Sequence, residues 1–260
     1  MGNMISLQYL NNVLSKYQAK NLLNYSAEIN VLKQRLQTWA NGCFVAILDT
    51  GSRAKGTAIH LSSDVDYFVS LTSGCNNTLS DVYNKLCEEL QKYYYPIRKQ
   101  NVSVRIKIRD LEVDITAAKR QEGSLHFHSI YKSKTNTWVQ TNVIQHNNDI
   151  SQSGRASEIK LVKIWRELHQ LSFPSIYIEY LLKDEVLFGK SKSLSELDNN
   201  FMHILKELSK DFNNPINKRI IDPSNSNNVL SDLLTPQEKQ LIIQKAKVSA
   251  SKQFWRDIVW

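Results

Sequence analysis

The sequence predicts an α+β protein: a mixed, β-rich half with a helical half packed on it. Three observations point there. Stretches of helical hydrophobic period open and close the 260-residue chain. Short apolar and alternating runs crowd between residues 43 and 117. After about residue 150 the strand signals fade. The expected division is therefore 1–150, N-terminal helices plus a β-rich core, and 151–260, a helical lobe.

Residues 4–22 read as a helix, with Ile5, Leu10, Val13, Leu14 and Tyr17 near one face. Residues 27–40 repeat the pattern with Ile29, Leu32, Leu36 and Trp39, and both stripes read as core packing. "CFVAILD" (43–49) is a short apolar run just before Gly51, which suits a buried strand. "DVDYFVSL" (64–71) alternates, with Asp64, Asp66 and Phe68 on one face and Val65, Tyr67 and Val69 on the other. Residues 80–94 look helical, with Ser80 as N-cap. "VSVRIKI" (102–108) and "LEVDITA" (111–117), joined by Arg109-Asp110, read as a β-hairpin. In its second strand Leu111, Val113 and Ile115 face one way, and Glu112, Asp114 and Thr116 the other. "SGRASEIKLVKIWRELHQL" (153–171) is an amphipathic helix whose apolar stripe is Leu161, Val162, Trp165 and Leu168. "FPSIYIEYLL" starts the next helix, and residues 196–210 and 236–255 read as helical too.

Composition narrows the function classes. A hydrophobic content of 42% permits a sizeable core. No apolar run approaches the roughly 18–20 residues needed to cross a bilayer, and "MGNMISLQYLNN" does not read as a secretory signal. The three cysteines (Cys43, Cys75, Cys87) are odd in number and lack CxxC spacing, so they read as reduced thiols of a cytosolic protein. A net charge of +8 suits a polyanionic partner, although charge alone does not separate RNA from a triphosphate.

The chemistry concentrates in "LDTGSRAKGTAIHLSSDVDYF" (48–68). Aspartates at i and i+2 on a strand project from one face, and two such anions repel unless a cation lies between them. Hard carboxylate oxygens suit Mg²⁺, which completes its shell with water and substrate phosphates. Asp114, on the polar face of a later strand, completes a candidate set of three acids for two metal ions. The Gly51-Ser52 turn, between a strand and a short helix, offers free backbone N–H groups and a hydroxyl to phosphate. Acids for metal and a turn for phosphate together specify phosphoryl or nucleotidyl transfer.

"GSRAKGTAIHLSSDVDYFVSL", with Asp114 in "LEVDITAA", resembles the signature of the polymerase-beta-like nucleotidyltransferase superfamily over residues 43–117. "SEIKLVKIWRELHQLSFPSIYIEYLL" looks like the helical segment of the oligoadenylate synthetase, cyclic GMP-AMP synthase and bacterial CD-NTase branch. The resemblance implies a mixed-sheet core packed on a helical lobe that completes a nucleotide pocket, with the active site in the cleft. It implies that Asp64, Asp66 and Asp114 are catalytic and hold two Mg²⁺ ions, Asp114 helping to deprotonate the attacking hydroxyl. Gly51, Ser52, Lys163 and Ser175 match the positions that bind the donor triphosphate, with Lys160 one turn earlier. The residue after the serine is Ile176 where the family often has an aromatic, so base stacking falls to Tyr177 or Tyr131. "IIDPSNSNNVLSDL" (220–233) is similar to a donor-pocket loop of the same relatives, which implicates Asp222 and Asn228. Residues 135–150 are similar to a further loop of the branch, with no role attached. His126, His128 and His146 have no cysteine partners at ligand spacing and read as packing or surface residues.

The expected activity is Mg²⁺-dependent synthesis of cyclic or linear oligonucleotide messengers from NTPs, ATP among them, in the cytoplasm and in a defence setting. The alternative is a template-independent RNA or tRNA nucleotidyltransferase of the CCA-adding kind, with RNA as partner. A non-catalytic nucleotide binder and a small-molecule transferase stand behind these two. No membrane partner is expected.

Overall fold

The computed structural model describes residues 2–62 and 64–260, with side chains from Ile5 onward. The chain forms two compact units: Met1–Ala19, Lys55–Ser63 and Asn148–Trp260 make one, and Lys20–Ala54 with Asp64–Asn147 make the other. This differs from a single break at residue 150. The first helix, α1 (Gly2–Lys16), belongs to the helical unit because Leu10 and Val13 bury there beside Ile159, Trp165 and Phe201. The helix ends at Lys16 and leaves Ile5 70% exposed, so Ile5 is not part of the buried stripe.

The other unit is built on a sheet. Its elements are α2 (Ser26–Ala40), β1 (Phe44–Thr50), α3 (Gly51–Ala54), β2 (Val65–Leu71), α4 (Leu79–Gln91), β3 (Arg98–Lys99), β4 (Val104–Ile108), β5 (Leu111–Arg120), β6 (His128–Lys132) and β7 (Thr137–Thr141). Strand order is β1-β2-β5-β4-β3, with β6 pairing the far end of β5 and β7 pairing β6. β2 and β5 run parallel and bring Asp66 opposite Asp114. Alternation drives the layering. Val65, Tyr67, Val69, Val113 and Ile115 bury against Leu32 and Leu36 of α2 and Leu86 of α4, which turns Asp66 to the opposite side. Farther along that opposite side Phe68, Ala118, Ile130 and Val143 form a small cluster of their own.

Several expectations change in detail. β1 is an edge strand of intermediate burial, because its apolar run has a neighbour on one side only. The cap of α4 is Thr78, in a reciprocal capping box with Asp81, and not Ser80. Residues 135–150 are not a loop: they hold β7 and most of α5 (Val143–Ser151), whose polar, edge-of-sheet composition hides the strand. Cys43 and Cys75 are bonded to one another, with Cα atoms 5.4 Å apart, while Cys87 is free and buried. Antiparallel pairing of β1 with β2 brings the first two together from 32 residues apart. The reading of three reduced thiols is thereby corrected, and with it goes the cysteine argument for a cytosolic protein.

The helical unit centres on α6 (Ala156–Leu168), surrounded by α7 (Ser175–Leu181), α8 (Leu197–Leu208) and α9 (Pro236–Ala250). A two-stranded ribbon, β8 (Ile221–Asp222) with β9 (Asn225–Val229), stands where the Asp-Pro-Ser-Asn stretch lies. Among the described residues no helix is long and apolar enough to cross a membrane.

Candidate active site

In the sheet unit the site grows from three strand ends. β1 delivers the chain into Gly51, β2 carries Asp66 with Asp64 just ahead of it, and β5 carries Asp114. Pairing sets Thr50 and Asp114 on either side of Asp66. Gly51 has φ +67°, in the left-handed region, and a methyl group built on it would overlap the Asp66 carboxylate. The glycine is therefore required first by its own acid neighbour, a reason independent of any phosphate. Ser52 follows in the single turn of α3.

Between Asp64 and Asp114 stands a guanidinium. Arg105, on β4 directly opposite Asp114, donates from Nε to Asp114 Oδ1 (2.8 Å) and from Nη2 to Asp114 Oδ2 (2.8 Å). The same Nη2 bonds Asp64 Oδ2, and Nη1 donates to Glu112 Oε2 at 2.5 Å. Gln100 Nε2 donates to Asp114 Oδ1 at 3.0 Å. Burial lifts the Asp64 carboxyl above the usual carboxylate range, and Arg105 works against that lift. The hydrogen bond to Asp114 heads the contacts that hold Arg105 even more firmly protonated than usual.

Does the cluster fit a divalent ion? Among the described residues no three acidic, His or Cys side chains stand together at metal-holding distances, because the guanidinium takes that place. The donor chemistry nevertheless fits: hard carboxylate oxygens on paired strands, packed closely enough to hold a cation, which here is the protein's own. Mg²⁺ held by Asp64, Asp66 and Asp114 would compete with Arg105 for Asp64 Oδ2.

The helical unit separates the remaining candidates. Lys163 is buried within this unit. It is 1% exposed and donates to Glu179 Oε1 (3.0 Å) and Thr57 Oγ1 (2.9 Å), while Lys55 donates to Glu179 Oε2 (2.8 Å). Burial holds the Lys163 pKa below the ordinary lysine value. Burial alone would raise Glu179, but two ammonium groups outweigh it and hold the carboxyl below its usual value. Ser175 starts α7 and accepts from Arg166 Nη1 at 2.9 Å; Arg166 also bonds Ser62 and Glu167. Lys160 is half-buried on α6. Tyr177 is fully buried, its hydroxyl on the Ile216 carbonyl, so its ring has no face for a base and that expectation is corrected. Asp222 accepts from Ser224 and, through Oδ2, from Asn228 Nδ2 at 2.9 Å, which ties these two candidates together within the ribbon. His128 is buried between Ser70 and the His126 carbonyl, a packing role.

Arg105, Glu112 and Gln100 were not among the sequence candidates, nor were Arg166, Glu179, Lys55 and Thr57. The sequence carries a signal for Arg105, and one for the burial of Lys163. A two-residue turn at Arg109-Asp110 pairs Ile108 with Leu111 and therefore Arg105 with Asp114. In α6 the run "IKLVKIW" is apolar on both sides of Lys163, the mark of a helix buried all round.

Residues 4–153 match the family described as Second Messenger Oligonucleotide or Dinucleotide Synthetase domain. The fold is similar to that of Escherichia coli MS115-1 CdnC solved with ATP, at 21% identity over 94% of this chain and 90% of that one, TM-score 0.72. It is similar to Bradyrhizobium diazoefficiens CdnG solved with GTP, at 11% identity over 96% and 94%, TM-score 0.70. It is also similar to the Cid1 poly(U) polymerase, at 12% identity over 94% and 92%, TM-score 0.65. No curated protein sequence matches. With more than half its length matched, the chain belongs to the Second Messenger Oligonucleotide or Dinucleotide Synthetase family, a CD-NTase family of nucleotidyltransferases, and its fold is the polymerase-beta-like one.

Proposed function

We propose that this protein joins NTPs into cyclic or linear oligonucleotide messengers in a Mg²⁺-dependent reaction in the cytoplasm. The observation that carries the reading is the register of Asp66 with Asp114, flanked by Asp64 and closed off by Gly51. Bound Mg²⁺ would activate the attacking hydroxyl and neutralise the departing pyrophosphate. Asp64, Asp66 and Asp114 would hold it. Asp114 has both acceptor positions of Oδ1 engaged, so its one remaining position, on Oδ2, is the one that would meet either the ion or the proton of the attacking hydroxyl. Gly51 and Ser52 would present backbone N–H groups and a hydroxyl to the donor phosphates. In the helical unit, Ser175 backed by Arg166, together with Lys160, is the candidate for further phosphate contact, whereas Lys163 would reach a phosphate only by leaving Glu179. Asp222 and Asn228 are the candidates for the base, and their mutual bond fixes the edge they can offer.

The net charge of +8 supports a second reading, transfer onto RNA, and the likeness in fold to a poly(U) polymerase supports it as well. Incubation with labelled NTPs and Mg²⁺, with and without total tRNA, separates the two. Small phosphatase-resistant products are expected. Label on tRNA would overturn the messenger reading. Asp66→Asn should lower turnover by at least about a hundredfold with the fold intact, and wild-type turnover in that variant would remove the acid cluster from the mechanism.

A further inference from the structure

Arg105 belongs to none of the expected sites, yet its three nitrogens contact three different acids. Its side chain is 18% exposed, that of Asp114 12% and that of Asp64 30%. A positive group this deep among carboxylates is held by them, and they by it. The contacts are unequal. Asp114 receives a fork, Nε on Oδ1 and Nη2 on Oδ2, and sits opposite Arg105 in strand register. Asp64 receives one arm, an Nη2 already shared, and lies outside β2 at the more exposed end. Gln100 fills the second acceptor position of Asp114 Oδ1, so Arg105 and Gln100 together leave one open position, on Oδ2.

We propose that Arg105 is the resident cation of the acid cluster and a positioning residue for transfer: its fork fixes the rotamer of Asp114, and its single arm to Asp64 is the contact a divalent ion must displace. The inference rests on the reading of the three aspartates as a divalent-ion site. Ligating carboxylates are commonly oriented by hydrogen bonds from behind, and an arginine fork supplies two at fixed angles. The Asp64 arm does the opposite work, competing with the ion for one of its ligands. The fork therefore aids catalysis, while the arm weakens ion binding before the nucleotide arrives.

The test measures binding of Mn²⁺ to the EDTA-stripped full chain without nucleotide, by the spin-resonance signal of free Mn²⁺, for wild type, Arg105→Met and Arg105→Lys. Arg105→Met should bind Mn²⁺ at least about fivefold tighter, the effect of one unit charge at about 4 Å in bulk water. Its Tm should fall in EDTA and recover in Mn²⁺, because the ion relieves the repulsion that the arginine relieved before. Arg105→Lys keeps the charge and loses the fork, so Mn²⁺ affinity should stay near wild type while kcat falls about tenfold at unchanged NTP KM. Unchanged or weaker Mn²⁺ binding in Arg105→Met, an equal Tm loss with and without Mn²⁺, or wild-type kcat in Arg105→Lys each overturns the proposal. If Arg105→Met does not fold, the neutral but polar Arg105→Gln carries the same Mn²⁺ comparison and Arg105→Lys still decides the fork. Absence of Mn²⁺ binding in wild type and in every variant overturns the divalent-ion reading itself, whereas wild type that binds it without any shift in the variants overturns only the role of Arg105.

Discussion

At Gly51 two demands coincide in one residue: a left-handed backbone and an α-carbon with no room beyond hydrogen on the side of Asp66. The left-handed conformation costs an L side chain about 1–2 kcal/mol, and the overlap with the carboxylate adds displacement of Asp66, the acid proposed to be catalytic. Gly56 supplies the control, since its φ is +71° but nothing lies within 4 Å of an added methyl. Gly51→Ala and Gly56→Ala should therefore lose similar stability through the backbone. Only Gly51→Ala should also lose turnover, by at least about a hundredfold, through a shifted Asp66. Unfolding midpoints and kcat measured together check this, and full activity in Gly51→Ala would mean that Asp66 need not stay where the strand puts it.

At the scale of elements, α6 and α7 are joined by charge as well as by apolar packing. Glu179 on α7 is held by Lys163 of α6 and by Lys55 and Thr57 of the segment after α3. Removing one partner of a buried pair costs about 3–5 kcal/mol because the other charge is stranded. Glu179→Gln, which leaves two ammonium groups facing a neutral amide, should show a loss of that order in urea unfolding. The pH dependence has a definite sign. The Glu179 carboxyl titrates lower in the folded chain than its ordinary 4.5, so its contribution is present above that value and is lost as pH falls below it. Glu179→Gln should lack that acid-limb loss, and an identical acid limb in both proteins would mean that the pair adds nothing. This network also shows why some of the fold and site was legible and some was not. The hairpin, the DxD strand and the Gly-Ser turn follow from local alternation and spacing, which a sequence displays directly. The partners of Lys163 lie 16 and 106 residues away, and no local period connects them. The Cys43–Cys75 bond is likewise a product of strand pairing at a distance, whereas the β6–β7 hairpin is local but lies in short segments of ordinary polarity that show no strand signal.

At the scale of the whole molecule, 33 basic residues stand against 25 acidic ones, and the charge has to be separated from the chemistry. A net charge of +8 attracts any polyanion, so binding of tRNA by itself would not make RNA a substrate. Non-specific complexes of this kind have Kd values of about 10⁻⁴–10⁻⁶ M and weaken linearly in log Kd against log salt, because phosphates neutralised by lysine and arginine release counterions. An NTP engages a few fixed groups, and binding there responds much less to salt. Raising salt from about 50 to 200 mM should therefore weaken tRNA binding by orders of magnitude while leaving the yield of small products from NTPs within a fewfold of its low-salt value. Fluorescence anisotropy of labelled tRNA and chromatography of the products, run in the same salt series, supply both curves. Product formation that falls in parallel with tRNA binding, or label transferred to the tRNA, would show that the basic surface serves the reaction and would move this chain to the RNA-transfer reading.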